Sequence, residues 1–214
     1  LTCINSTKEK VESAIEILKE NEIENVLALR GDRVEGCECN DFKYCSDLVK
    51  FIKERADFDL GGACYPEGHP EAESLDVDID NLKRKVDLGI THLNTQLFYD
   101  NEDFYRFIDK VRAAGINVPI QAGIMPLIKK ASIDRTIQMA ATKIPAKLAR
   151  MINKFGNDPV ALEEAGILYA TDQIADILSS GASQGIHVYV MNNASMATKI
   201  TNNVISLIDG INKA

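Results

Sequence analysis

The chain has 214 residues, with 24 Lys plus Arg against 32 Asp plus Glu and a net charge of −8. Its 45% hydrophobic and 26% charged content supplies enough apolar surface for a core, which excludes a disordered chain. The acidic balance argues against nucleic acid or an anionic membrane as partner, and no apolar run approaches the roughly 18 residues of a membrane span.

Leu1–Ile4 reads as the end of a strand, so an upstream segment is expected. No secretion signal is legible there. Ser6 or Thr7 can cap the next helix, whose buried face reads as Val11, Ala14, Ile15, Ile17 and Leu18. Asn25–Leu29 is the second strand, and Ser46–Glu54 a helix with Leu48, Val49 and Ile52 inward. The unit recurs as strand Leu60–Cys64 with helix Val77–Leu88, then strand His92–Phe98 with helix Glu102–Ala114. Strand Pro119–Ile124 leads to two or three helices within Ala131–Ser180, broken near Pro145 and Pro159. Strand Gly185–Met191 and helix Ser195–Ile208 close the pattern.

Six strands, each followed by helix, predict a parallel α/β sheet. An open doubly wound sheet binding a dinucleotide would carry GxGxxG after its first strand, and none occurs; no GxxxxGK[ST] occurs either. Polar residues instead collect after the ends of several strands: Arg30 and Asp32, Tyr65 with Glu67 and His69, Thr95 and Gln96, Asn192 and Asn193. Barrel active sites are assembled in that way. The expectation is therefore one domain, residues 1–214, forming about six βα units of a (β/α)8 barrel that lacks two upstream units.

Each cluster has a chemical and a structural interpretation. In Arg30-Gly31-Asp32, Gly31 permits a tight turn or close ligand approach, and Asp32 faces the barrel mouth; the plain alternative is a surface ion pair at a turn. Tyr65-Pro66-Glu67-Gly68-His69-Pro70-Glu71-Ala72 is a loop fixed by two prolines. Its His69 has no second His or Cys at metal spacing, so no zinc site is read. Asp78, Asn81 and Lys85 share a helix face with Arg84 adjacent, either a solvated face or a cationic surface for a diphosphate. Gln96, an amide at a strand end, suits a flat heterocycle with mixed donor and acceptor edges. Cys37, Cys39 and Cys45 lack the paired CxxC pattern of a strong metal site, and the five cysteines read as reduced and cytosolic. The sequons at Asn5 and Asn193 are then silent. Met125, Met191 and Met196 read as core filler.

Taken together these motifs resemble methylenetetrahydrofolate reductase of the bacterial, flavin-dependent type. The resemblance is carried by LTCI at the start, ALRGD at Ala28–Asp32, Tyr44-Cys45-Ser46-Asp47-Leu48-Val49 and the YPEGHPEA loop. NLKRKVDLG from Asn81, TQLFYD from Thr95, AGIMP from Ala122 and YVMNN from Tyr189 complete it, in family order over nearly the whole chain. It implies a cytoplasmic (β/α)8 barrel enzyme of one-carbon metabolism and methionine biosynthesis. Hydride would pass from NADH or NADPH through FAD to 5,10-methylenetetrahydrofolate, giving 5-methyltetrahydrofolate.

By resemblance, Arg30, Gly31, Asp32, Tyr44, Cys45, Tyr65, His69, Ala72, Asp78, Asn81, Arg84 and Lys85 bind FAD, the cations serving its diphosphate. Asp32 and Gln96 are the catalytic and substrate-binding pair. The resemblance implies that Asp32 would stabilise the iminium cation formed on ring opening and tune the flavin potential, and that Gln96 would hydrogen-bond the pterin and the nicotinamide. The family's general-acid glutamate and a flavin-contacting histidine would precede Leu1. A family phenylalanine aligns with Thr136, and a family arginine with Asn193. This chain alone is thus expected to turn over little folate. The alternatives are a catalytically silent flavin- or folate-binding fragment, and a flavin-free barrel methyltransferase. Homo-oligomers are implied, and a further electron-transfer subunit, the oligomer size and the choice of nucleotide stay open.

Overall fold

The computed structural model describes residues 1–32, 41–130, 133 and 142–213. Five strands form one parallel sheet: β1 (Asn25–Leu27), β2 (Asp59–Cys64), β3 (Ile90–Thr95), β4 (Ile120–Ile124) and β5 (Gly185–Val188), ordered in space as in sequence. Between them lie α2 (Cys45–Lys53), α3 (Leu75–Asp87), α4 (Asn101–Ala113), α5 (Ala146–Phe155) and α6 (Pro159–Ser180). Helix α1 (Lys8–Glu20) precedes β1, and α7 (Ala194–Asn212) follows β5. A doubly wound sheet would reverse its strand order at a switch point. This order never reverses, so the strands curl as a five-stranded half-barrel.

The pattern predicted six strands. The segment at Leu1–Ile4 makes only the single bridge Thr2 to Leu29, with Cys3 N–H donating to Leu29 O at 3.0 Å and Leu29 N–H to Leu1 O at 2.9 Å. It extends the sheet beyond β1 without becoming a regular strand.

Helix boundaries follow local chemistry. Thr7 Oγ1 accepts from Lys10 N–H, and Ser74 Oγ caps α3 through Val77 N–H. Asp100 Oδ1 caps α4 through Glu102 N–H. Pro145 is the N-cap of α5 and Pro159 opens α6, where its missing N–H costs nothing. Ile17, expected on the buried face of α1, is 58% exposed. It lies two residues from buried Ile15, roughly 200° around the helix. Met191, expected in the core, is 79% exposed, because the chain turns there with positive φ at Met191 and Asn192. Met196 is buried, and Met125 packs on a small second cluster of Leu97, Tyr99, Leu127, Ile133 and Leu148.

The main core lies between the sheet and the helices. Val26, Ala28, Leu60, Cys64, Leu93, Ile120, Ala122 and Ile124 pack with Ile15, Leu48, Ile52, Phe104, Phe107 and Ile177. The alternate residues, including His92, Asn94, Gln96, Gln121, His187 and Tyr189, are half-buried on the other face. Among the described residues, no helix is long and apolar enough to cross a membrane.

Candidate functional site

The site is built where the strands end. Leaving β1, Leu29 is held by the Leu1–Ile4 segment, and Gly31 then turns with φ +81. A Cβ at Gly31 would stand 3.0 Å from the Thr2 Cβ, so this turn requires glycine on two counts. It presents Arg30, whose Nη1 donates to Glu71 Oε2 at 2.7 Å, and leaves Asp32 exposed at the rim. That bond joins the end of β1 to the loop after β2.

Within the loop, the Tyr65 and His69 rings meet edge-on, with centroids 4.7 Å apart. His69 Nδ1 accepts from Glu71 N–H at 3.1 Å, and His69 N–H donates to Asp78 Oδ2 at 3.1 Å. The loop therefore rests on the first turns of α3. Burial and the nearby Arg30 lower the His69 pKa, so the imidazole stays neutral, and burial raises that of Asp78. Ala72 is half-buried and donates its N–H to His69 O.

The helix face predicted from spacing is only partly common. Asp78 and Lys85 are half-buried, and Lys85 Nζ donates to Ala63 O at 2.9 Å. Asn81 and Arg84 are exposed, with Arg84 Nη1 3.5 Å from Asn81 Oδ1. Cys45 Sγ donates to Ala28 O at 3.2 Å, and burial raises its thiol pKa. Cys64 is pushed up to about 12 and Cys3 to about 11 by burial, so these three thiols are poor nucleophiles. Tyr44 is 55% exposed at the start of α2.

Gln96 follows β3. Its N–H donates to Cys64 O at 2.7 Å, and its Oε1 accepts from Leu97 N–H. No hydrogen bond from the amide NH2 is seen among the described residues.

The structure thus brings Arg30, Cys45, Tyr65, His69, Ala72, Asp78 and Lys85 into one connected region, with Gln96 bonded to its edge. Asp32, Tyr44, Asn81 and Arg84 are solvent-facing around it. Cys37, Cys39 and Thr136 lie outside the described residues. Among the described residues no group of three His, Cys, Asp or Glu could hold a metal.

Three residues take parts that composition and spacing did not assign. Glu71 holds Arg30. Glu67, with its side chain 8% exposed, accepts from the Thr142 hydroxyl and from Lys143 N–H at 3.1 Å. It ties the loop after β2 to the segment entering α5, and burial raises its pKa. Asn193, read as a polar group at a strand end, caps α7 by accepting from Met196 N–H. The acidic side chain in a Pro-fixed loop and the Asn before a helix were the only sequence signals for the last two.

The methylenetetrahydrofolate reductase family profile matches residues 1–205. A 5,10-methylenetetrahydrofolate reductase of Escherichia coli (strain K12) is 38% identical over 200 residues, covering 94% of this chain and 67% of that protein. Methylenetetrahydrofolate reductase (NADH) 1 of Arabidopsis thaliana is 36% identical, covering 98% of this chain and 38% of its own length. The chain therefore spans about two thirds of the bacterial relative and little more than a third of the plant one. An uncharacterized protein from Clostridium thermocellum, whose structure is described as binding two copies of 5-methyl-5,6,7,8-tetrahydrofolic acid, superposes with a TM-score of 0.56. It is 15% identical, over 94% of this chain and 69% of that one, so it speaks for the fold.

Proposed function

This chain belongs to the methylenetetrahydrofolate reductase family, and on that premise we propose that it reduces 5,10-methylenetetrahydrofolate to 5-methyltetrahydrofolate with FAD and a nicotinamide nucleotide. We read residues 1–214 as part of one cytoplasmic barrel domain acting in a homo-oligomer. The observation that carries the reading is the joining of Arg30, Tyr65, His69, Asp78 and Lys85 across the ends of β1 and β2 and the face of α3.

The donor set fits a flavin dinucleotide. Arg30, Arg84 and Lys85 offer cations to a diphosphate, Asn81 an amide, and Tyr65 with His69 an aromatic surface. FAD, when bound, supplies a two-electron relay between nicotinamide and folate. The chain's own residues bind and orient. His69, kept neutral by burial, hydrogen-bonds without adding charge beside Arg30. Asp32, exposed at the mouth, stabilises the positive iminium that folate ring opening creates. Gln96 offers its amide hydrogens first to one planar heterocycle and then to the other.

The test is the visible absorption spectrum of the purified chain with added FAD, before and after NADH and then NADPH. A bound flavin that bleaches with nucleotide supports the proposal, and its recovery with methylenetetrahydrofolate is expected to be slow in this chain. Absence of flavin binding sinks it for this chain.

A further inference from the structure

We propose that Tyr189 is a positioning residue that holds the backbone of Gln96 for its contact with folate. This rests on the reading above that Gln96 touches the substrate.

The argument begins with a carbonyl. The β3–β4 pairing ends at Asn94 with Gln121, so the carbonyl of Thr95 has no strand partner in β4, although Thr95 is fully buried. A buried carbonyl needs a donor. Tyr189 supplies it: its phenol donates to Thr95 O at 2.8 Å. The donor comes from two strands away, just past the end of β5, and its own N–H is fixed to Ile124 O at 2.8 Å.

The phenol reaches that far because β4 has no side chain in its path. A Cβ on Gly123 would lie 2.3 Å from Thr95 O and 2.8 Å from Tyr189 Cε2. Gly123 N–H also donates to Thr95 Oγ1 at 2.8 Å. Burial raises the Tyr189 pKa to about 12, so the hydroxyl remains a donor throughout the neutral range. The His187 ring stands edge-on to Tyr189 with centroids 4.6 Å apart, which limits where the phenol can swing. Gln96 is therefore pinned on both sides. Its N–H is bonded to Cys64 O, and the peptide before it is held by Tyr189. Only its side chain is left to answer a ligand.

The test is a double-mutant cycle on the FAD-loaded chain, with 5-methyltetrahydrofolate binding read by calorimetry. Tyr189→Phe keeps the ring and removes the donor. It should weaken folate binding about tenfold while flavin binding stays unchanged. Gln96→Ala should weaken folate binding by at least as much, and adding Tyr189→Phe to it should cost nothing more. Parental affinity in Tyr189→Phe overturns the inference, and so does an equal loss in both backgrounds. Unchanged affinity in Gln96→Ala overturns Gln96's role and this inference with it.

A ligand-free measurement separates the two claims. Amide hydrogen exchange at Gln96 should quicken about tenfold in Tyr189→Phe. Unchanged exchange overturns the positioning role, whatever the chain binds. If the parent chain binds no folate at all, the functional reading falls by itself, and exchange alone judges whether Tyr189 holds that peptide.

Discussion

On β3, Leu93 is fully buried against the helices, whereas its neighbour Asn94 is half-buried on the opposite face, its Oδ1 without a hydrogen-bond partner among the described residues. The same alternation runs along the sheet. Ile120, Ala122 and Ile124 face the helices beside Gln121, and Ile186 and Val188 pack on the core beside His187 and Tyr189. One face is an apolar core that stabilises the fold. The other is polar and partly open. In a closed barrel the inner face is packed with branched apolar side chains in layers. Here it carries imidazole, amide and phenol, so the division between an apolar and a polar face follows the two-residue period of the strands.

Substitutions one residue apart should test that division. Leu93→Ala removes a fully buried side chain and should cost about 3 kcal/mol in urea unfolding. Asn94→Ala, on the next residue, removes an acceptor that is already unpaired, and should change stability by less than about 1 kcal/mol. A loss of similar size at both positions would erase the distinction between the faces.

The smallest expected effect is a pH slope. Burial alone lowers the His187 pKa from its ordinary 6.5. Below 6.5 the unfolded chain takes up a proton that the folded chain resists, so stability is fully present above that pH and falls as pH drops toward the folded value. Each such proton contributes at most about 1.4 kcal/mol per pH unit. His187→Gln should flatten the fall between pH 6.5 and 5.5, measured by urea unfolding at each pH. His69 is shifted in the same direction and should preserve part of the slope in that variant. An unchanged slope would mean that the inner face does not desolvate His187.

Much of this fold is legible in the chain because its causes are local. The Thr7, Ser74, Asp100 and Asp158 caps and the two helix-opening prolines lie within a turn of what they control. Buried runs such as Leu60–Cys64 mark a strand covered on one side by helices. The candidate site was proposed as a set of residues, by resemblance, more than as a geometry. That Arg30 is held by Glu71 depends on a partner 41 residues away. The bond from Tyr189 to Thr95 spans 94 residues, and no local pattern announces it. Helical spacing put Asn81 with Asp78 and Lys85, but the width of the buried stripe on α3 leaves Asn81 in solvent. The early end of β5 escaped periodicity because Met191 and Asn192 adopt left-handed backbone, which their side chains do not signal.

The unbroken strand order has a consequence for how the molecule assembles. Asn25 pairs with Asp59 and Leu93 with Ile120, so each of the first strands finds its neighbour soon after it leaves the ribosome. Gln121 pairs with Gly185 only after α5 and α6 have been made, roughly twice as far along the chain. Doubling a loop adds only about 0.6 kcal/mol of closure entropy, so the delay is one of order rather than of cost. The strand leading to Tyr189 docks after the four before it, and the peptide before Gln96 is fixed only once residue 189 has been made.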